Sequence, residues 1–155
     1  METERDWNVQ CDTRAAQIVL ATGADVTLAT LPATMHAQLR AAHLPSLRAA
    51  GPLGELLVVQ ALVHADDHDM VALASAHPGL ADDLLNFHYD PVAAAVALGW
   101  SGVSVEPMPL VATTDHDVLR FHRAPAGRLT NVLVDVDADT FTDRWLTSLH
   151  ATDAR

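Results

Sequence analysis

Acidic and amide side chains cluster near the start of the chain, in Asp6-Trp7-Asn8, with Asp12 following shortly after. A carboxylate accepts hydrogen bonds from two hydroxyls, and a primary amide both donates and accepts. Asp6 and Asn8 therefore suit a sugar such as ribose, which offers donors and acceptors on adjacent carbons. A simpler interpretation also fits, in which Asp6 is solvated, Asn8 makes a turn and Asp12 caps a helix.

A second group of polar side chains, Phe87-His88-Tyr89-Asp90-Pro91, lies further along the chain. The residue preferences of helix starts make Asp90 the N-cap and Pro91 the first helical residue. A carboxylate fixed at a helix terminus can also bind a hard cation, because Ca²⁺ accepts carboxylate oxygens in flexible numbers. The two roles are compatible, so Asp90 is both a predicted cap and a candidate metal ligand.

His64 and His68 have the spacing of two histidines on one helical face, which could bind zinc. The residues between them are Ala65-Asp66-Asp67, so the glutamate of the His-Glu-x-x-His pattern is absent. A solvated acidic helix end is the preferred interpretation of this segment. By their helical spacing, Phe141 and Trp145 are predicted to belong to the core rather than to a binding site.

Both polar groups, together with the closing segment from Asn131 to Asp139, resemble the C-terminal half of nucleoside hydrolases of the inosine/uridine-preferring family. That family has an acidic residue, an aromatic residue and an asparagine, followed by an aspartate and paired alanines. It also has an aspartate that leads into a helix. The matching stretch here reads Asp6-Trp7-Asn8-Val9-Gln10-Cys11-Asp12-Thr13-Arg14-Ala15-Ala16, and the later one His88-Tyr89-Asp90-Pro91.

The resemblance implies hydrolysis of the N-glycosidic bond of ribonucleosides, which releases ribose and a free purine or pyrimidine base. Asp6 and Asn8 would then bind ribose hydroxyls, and Asp90 would bind calcium. By position Tyr89 stands beside the leaving base as a catalytic residue, and His88 takes that role if the register differs by one residue. A tyrosine with a pKa of about 10 is a weaker general acid than histidine, so Tyr89 would stack on the base or hydrogen-bond to it.

The chain departs from the family pattern in three places. Asp6 is one methylene shorter than the usual glutamate, and Leu31-Pro32-Ala33-Thr34 stands where the family commonly has an aspartate. The aspartate-rich loop that supplies most calcium ligands and the base that activates water has no counterpart. Because calcium gathers about 6–8 oxygens, the chain is expected to bind it weakly and to show no hydrolase activity alone. The alternative is a non-catalytic α/β module for sugar binding or oligomerisation.

Composition narrows the class of protein. The 155 residues are 50% hydrophobic, which allows one ordinary domain over 1–155 with a real core. The net charge is −11, with no lysine, which argues against a nucleic-acid partner. Cys11 is the only cysteine, so no internal disulfide is possible.

The longest apolar run, Leu53 to Val63, is about half of the roughly 20 residues that a membrane span needs. No signal peptide is indicated, and a cytoplasmic location is expected.

Periodicity and helix-end signals predict an α/β fold. The resemblance implies part of a mixed, mostly parallel sheet flanked by helices, with the N-terminal half absent. A face left open by that half would favour association, either as a homo-oligomer or with the missing half. Strands are predicted at 26–31, 103–106, 118–122 and 131–136, and helices at 13–20 (ended by Gly23), 34–44, 45–50, 53–64, 71–76, 80–86, 91–98 (ended by Gly99) and 141–149.

Overall fold

Two separate sheets organise the chain in the computed structural model, which describes residues 6–150. The larger sheet has the strand order β1-β6-β4-β5, and the smaller one pairs β2 with β3. The strands are β1 (Thr27–Leu28), β2 (Gln38–Arg40), β3 (Leu84–Phe87), β4 (Val103–Asp115), β5 (Val118–Arg123) and β6 (Arg128–Val136).

Eight helices surround the two sheets within the described residues. They are α1 (Trp7–Cys11), α2 (Thr13–Ala21), α3 (Leu31–Thr34), α4 (Leu44–Ala49), α5 (Gly51–Asp67), α6 (Met70–Ala76), α7 (Tyr89–Ala97) and α8 (Ala138–His150), with a 3₁₀ turn over Ala41–His43 before α4. The predicted α/β class and the mixed sheet flanked by helices are confirmed.

The expectation of mostly parallel pairing needs correction. Within residues 6–150 only β1 and β6 pair in parallel, with Thr27 beside Asn131, and the other three pairs are antiparallel. The reason is a hairpin: β4 and β5 are joined by His116 and Asp117, both at positive φ, as a two-residue turn of this kind requires. The returning strand β6 then pairs with β4 on its other side, again antiparallel.

Two predicted helices are wrong, and both errors have one cause. The segments 34–44 and 80–86 contain the strands β2 and β3, which pair with each other and place Leu39 opposite Asn86. Leu84, Leu85 and Phe87 are buried on this small sheet. The pairing joins residues about a third of the described chain apart, so tertiary contacts override the local helical preferences of both segments.

Helix ends were predicted with mixed success. Asp12 caps α2 by accepting a hydrogen bond from the Ala15 N–H at 2.8 Å, and Gly99 ends α7 with φ of 72°, both as predicted. Asp137 likewise caps α8 through the Thr140 N–H. Gly23 is not at positive φ, since α2 already ends at Thr22 in an extended conformation.

The core consists of three buried clusters that seat the two sheets. The first cluster contains Val92 and joins α3, α7, β6 and α8. The second contains Leu47 and lies between α4, α5 and β3. The third contains Leu84 and packs α6 against β3. Phe141 is buried and Trp145 and Leu149 pack against these clusters, so the predicted apolar face of α8 is confirmed. None of the helices in residues 6–150 combines the length and the apolar character that a membrane crossing needs.

Candidate functional site

Asp6 and Asn8 lie at the start of the short helix α1. The Asp6 carboxylate is the N-cap and accepts a hydrogen bond from the Val9 N–H at 3.2 Å. Asp6 is half-buried, whereas Asn8 and Trp7 are exposed. Asn8 therefore lies in a helix and not in a turn, with its amide free to meet a ligand from solution.

Gln10 attaches this helix to the large sheet. Its side-chain amide donates to the Leu119 carbonyl and accepts from the Leu119 N–H, both at 3.0 Å. The amide thus satisfies both backbone groups of a residue on β5, an edge strand of the sheet, and Leu119 itself is buried. This role could not be predicted from the sequence, because a single glutamine in a helical stretch resembles any surface glutamine.

The second polar group lies where β3 passes into α7. The His88 N–H donates to the Ala37 carbonyl at 2.9 Å, and the fully buried Val92 anchors the first turn of α7 in the core. The helix begins at Tyr89, with His88 in the N-cap position and no side-chain cap bond. Asp90 consequently lies in the first turn, exposed, and is not the N-cap that was predicted.

Tyr89 is half-buried beside Phe87, with the two ring centroids 5.4 Å apart. Burial, and secondly the negative charge of Asp6, raises the pKa of Tyr89 to about 12. The phenol therefore keeps its proton across the neutral range. Ala93, one helical turn beyond Tyr89, lines the same cleft as Asp6, so α1 and α7 lie close together although they are distant in sequence.

His88 lies deeper than Tyr89. It is only 3% exposed, and its ring packs against Trp145 at 4.5 Å and Phe141 at 5.5 Å between centroids. Its Nε2 is buried without a hydrogen-bond partner. Burial, and secondly the charge of His43, lowers the pKa of His88 to about 4. His88 is therefore neutral at physiological pH and belongs to an aromatic core cluster.

The predicted site residues line two different clefts. The first, here called the α1 cleft, has a volume of about 560 Å³ and is lined by Asp6 and Asn8, by 27–32, by Ala93 and by 119–122 of β5. The second, the α5 cleft, has about 680 Å³ and is lined by His88, Tyr89 and Asp90 together with one side of α5 and Trp145. Leu31 and Pro32 line the α1 cleft, so the segment without the family's aspartate is apolar there.

The calcium site that the resemblance implies does not fit the described residues. Across residues 6–150 there is no group of three or more His, Cys, Asp or Glu side chains that could hold a metal ion. Asp90 offers one carboxylate, whereas calcium needs about 6–8 oxygens. The rings of His64 and His68 contact each other at a tilt of 41°, with their centroids 4.3 Å apart, at the C-terminal end of α5. They too lack further metal ligands within residues 6–150.

Comparison with known proteins finds similarity among solved structures. No protein-family model matches the chain, and no curated protein matches it. Among solved structures, it is similar to an inosine-uridine preferring nucleoside hydrolase from Bacillus anthracis, with a TM-score of 0.62 and 20% identity. The match covers 93% of this chain and 42% of that chain. At this identity the similarity shows a shared fold, and the chain spans less than half the length of its neighbour.

Proposed function

We propose that this chain binds ribonucleosides and forms part of a nucleoside N-ribohydrolase site, completed by groups from outside residues 6–150. The observation that carries the proposal is that α1 and α7 line one cleft, where Asp6 and Asn8 lie with Ala93, one helical turn beyond Tyr89. The two helices begin with the two polar motifs, which are far apart in the sequence. A fold similar to that of a nucleoside hydrolase supports the same proposal.

Asp6 and Asn8 are proposed to bind the ribose hydroxyls. One oxygen of the Asp6 carboxylate is engaged as a helix cap, and a carboxylate has about four acceptor sites, so Asp6 keeps acceptors for a hydroxyl. The exposed amide of Asn8 adds a donor and an acceptor at the same rim of the α1 cleft. Together they match the adjacent hydroxyls of ribose, each of which can donate one hydrogen bond and accept others.

Tyr89 is proposed to contact the base. With a pKa of about 12 it remains a hydroxyl, so it can donate one hydrogen bond to a ring nitrogen or an exocyclic oxygen. Its ring, already placed against Phe87, can also stack. His88 is assigned a supporting role: its buried ring, held between Phe141 and Trp145, fixes the backbone from which Tyr89 projects.

Asp90 is proposed to contribute one oxygen to a cation, and the remaining ligands would come from a second polypeptide. That polypeptide is either another copy of this chain or one equivalent to the part of the neighbour that has no counterpart here. No chemical step is assigned to the cation, since residues 6–150 do not form its site. The isolated chain is therefore expected to bind ribonucleosides without hydrolysing them.

The decisive experiment has two parts on the purified chain. Isothermal titration with inosine, uridine and free ribose measures binding, and a free-ribose assay with and without added calcium measures hydrolysis. We expect weak binding of the nucleosides and no ribose release. Asn8→Ala should weaken binding several-fold, while Ser75→Ala, an exposed polar residue of α6 away from both clefts, should not. The absence of nucleoside binding, or equal affinity in both variants, would refute the proposal; release of ribose would show that a complete site exists.

A further inference from the structure

A third concave region, here called the α7–α8 groove, lies between α7 and α8. Its volume is about 510 Å³, within the range of roughly 300–1,000 Å³ that small-ligand sites occupy. The groove shares Pro91 and Trp145 with the α5 cleft and no lining residue with the α1 cleft. On the α7 side it is lined by Ala94 and Ala95, whose small side chains leave the space between the two helices open.

Aromatic rings form the opposite part of the α7–α8 groove. The buried Phe141 ring meets the Trp100 ring edge to face, with the centroids 5.6 Å apart, and Trp145 packs against His88 at 4.5 Å. A Cβ on Gly102 would lie 2.2 Å from the six-membered ring of Trp100, so this glycine lets the ring lie against the backbone. The rings are therefore held by the fold, and the groove exists before any ligand arrives.

The unpaired polar groups of the groove are hydrogen-bond donors. Arg144 is the only charged residue among those that line it, and its guanidinium makes no ion pair or hydrogen bond within residues 6–150. The indole N–H groups of Trp100 and Trp145 have no hydrogen-bond partner in the same part of the chain. Neither guanidinium nor indole can accept a hydrogen bond. The groove therefore presents a positive charge and free donors beside apolar rings.

The carboxylates of α8 lie away from Arg144. Asp139 and Asp143 line a different cleft, which also contains Arg40 and His43. The residues three and four positions from Arg144 along the helix, which share its face, are uncharged: Thr140, Phe141, Thr147 and Ser148. Although the chain has a net charge of −11, no carboxylate lines the α7–α8 groove within the described residues.

We propose that the α7–α8 groove binds a small carboxylic acid with an apolar, aromatic body. The carboxylate would pair with the Arg144 guanidinium, whose planar donors match its two oxygens. The body of the ligand would lie against the rings of Trp100 and Trp145, since aromatic rings pack favourably in offset or edge-to-face geometry. A cationic ligand would be repelled by Arg144, and a neutral one would leave that charge without a partner. The site is independent of the proposed function.

An NMR titration of the full chain with phenylpropionate tests the proposal. We expect saturable binding with a dissociation constant of roughly 0.1–1 mM, as for a ligand of this size. The indole N–H signals of Trp100 and Trp145 should shift together, while that of Trp7, which is 79% exposed on α1, serves as the internal control. Phenylpropylamine, with the same ring and the opposite charge, and propionate, which lacks the ring, should each bind at least about tenfold more weakly. Equal binding of the amine, or the absence of a saturable shift at the two groove tryptophans, would overturn the proposal.

Two arginine variants separate a site from general attraction of anions. Arg144→Gln should weaken phenylpropionate binding about three- to tenfold, because it removes the charge and the paired donors at an exposed position. Arg123→Gln is the matched control, since it removes the same charge from an exposed arginine at the end of β5, outside the groove. Equal weakening in both variants would contradict a site at Arg144.

Discussion

The two helix starts that carry the candidate site are held in very different ways. The start of α7 is buried: Val92 is fully covered, and His88 lies between the rings of Phe141 and Trp145. The start of α1 lies on the surface, and its attachment to the sheet is through the Gln10 amide on Leu119. The comparison indicates that Tyr89 and Asp90 are placed by the core itself, whereas Asp6 and Asn8 depend on a few polar contacts.

The largest effect is expected from Phe141→Ala, which removes a ring that contacts both His88 and Trp100. Truncation of a buried phenylalanine costs about 3–5 kcal/mol, a large fraction of the stability of a small domain. Urea unfolding measures this loss. Leu98→Ala, at the 87% exposed C-cap position of α7, should change stability by less than about 0.5 kcal/mol. Similar losses in both variants would mean that α7 is not seated by this cluster.

The buried histidine predicts how stability depends on pH. The pKa of His88 is lowered from 6.5 to about 4 in the folded chain, by burial and by the charge of His43. The unfolded state therefore binds the proton first, so this contribution is complete above pH 6.5 and is lost as pH falls towards 4. The expected loss is about 3 kcal/mol.

Urea unfolding between pH 7 and pH 4 measures the His88 contribution. His88→Phe should flatten this part of the profile, because the substituted side chain no longer takes up a proton. The control is His150→Phe, at an exposed position at the end of α8, which should not flatten the profile. An unchanged slope in the His88 variant would show that its burial does not control the acid sensitivity.

The sequence predicted these two regions unequally, for a physical reason. Local signals gave the Asp12 cap, the Gly99 terminator and the apolar face of α8, because each depends on neighbouring residues along one helix. The pairing of β2 with β3 depends on residues far apart, so helical patterns in both segments were misleading. The proximity of α1 and α7 at the α1 cleft is also a long-range feature, and neither the sequence spacing nor the helix propensity of the two motifs could predict it.

A smaller effect is expected from Gln10→Ala, which tests the polar attachment of α1. Removal of the amide deprives the Leu119 N–H and carbonyl of their side-chain partner, at a cost of about 1–3 kcal/mol. Hydrogen exchange of the Leu119 amide should accelerate as well. Gln17→Ala is the control, since the Gln17 amide donates to the exposed Thr114 hydroxyl at 3.1 Å and not to a backbone group of the sheet. Equal effects would indicate that α1 is held by other contacts.

The smallest effect, and the one that joins the two regions, is expected from Tyr89→Phe. The substitution keeps the ring against Phe87 and removes the hydroxyl whose proton is retained near Asp6. Loss of one neutral hydrogen bond corresponds to about 0.5–1.5 kcal/mol, so nucleoside affinity should fall by roughly two- to tenfold, with free ribose unaffected. Titration with uridine and with ribose separates the two. An equal loss of affinity for both ligands would mean that Tyr89 contacts the ribose and not the base. The α1 and α5 clefts would then form a single sugar site, instead of one site for the sugar and one for the base.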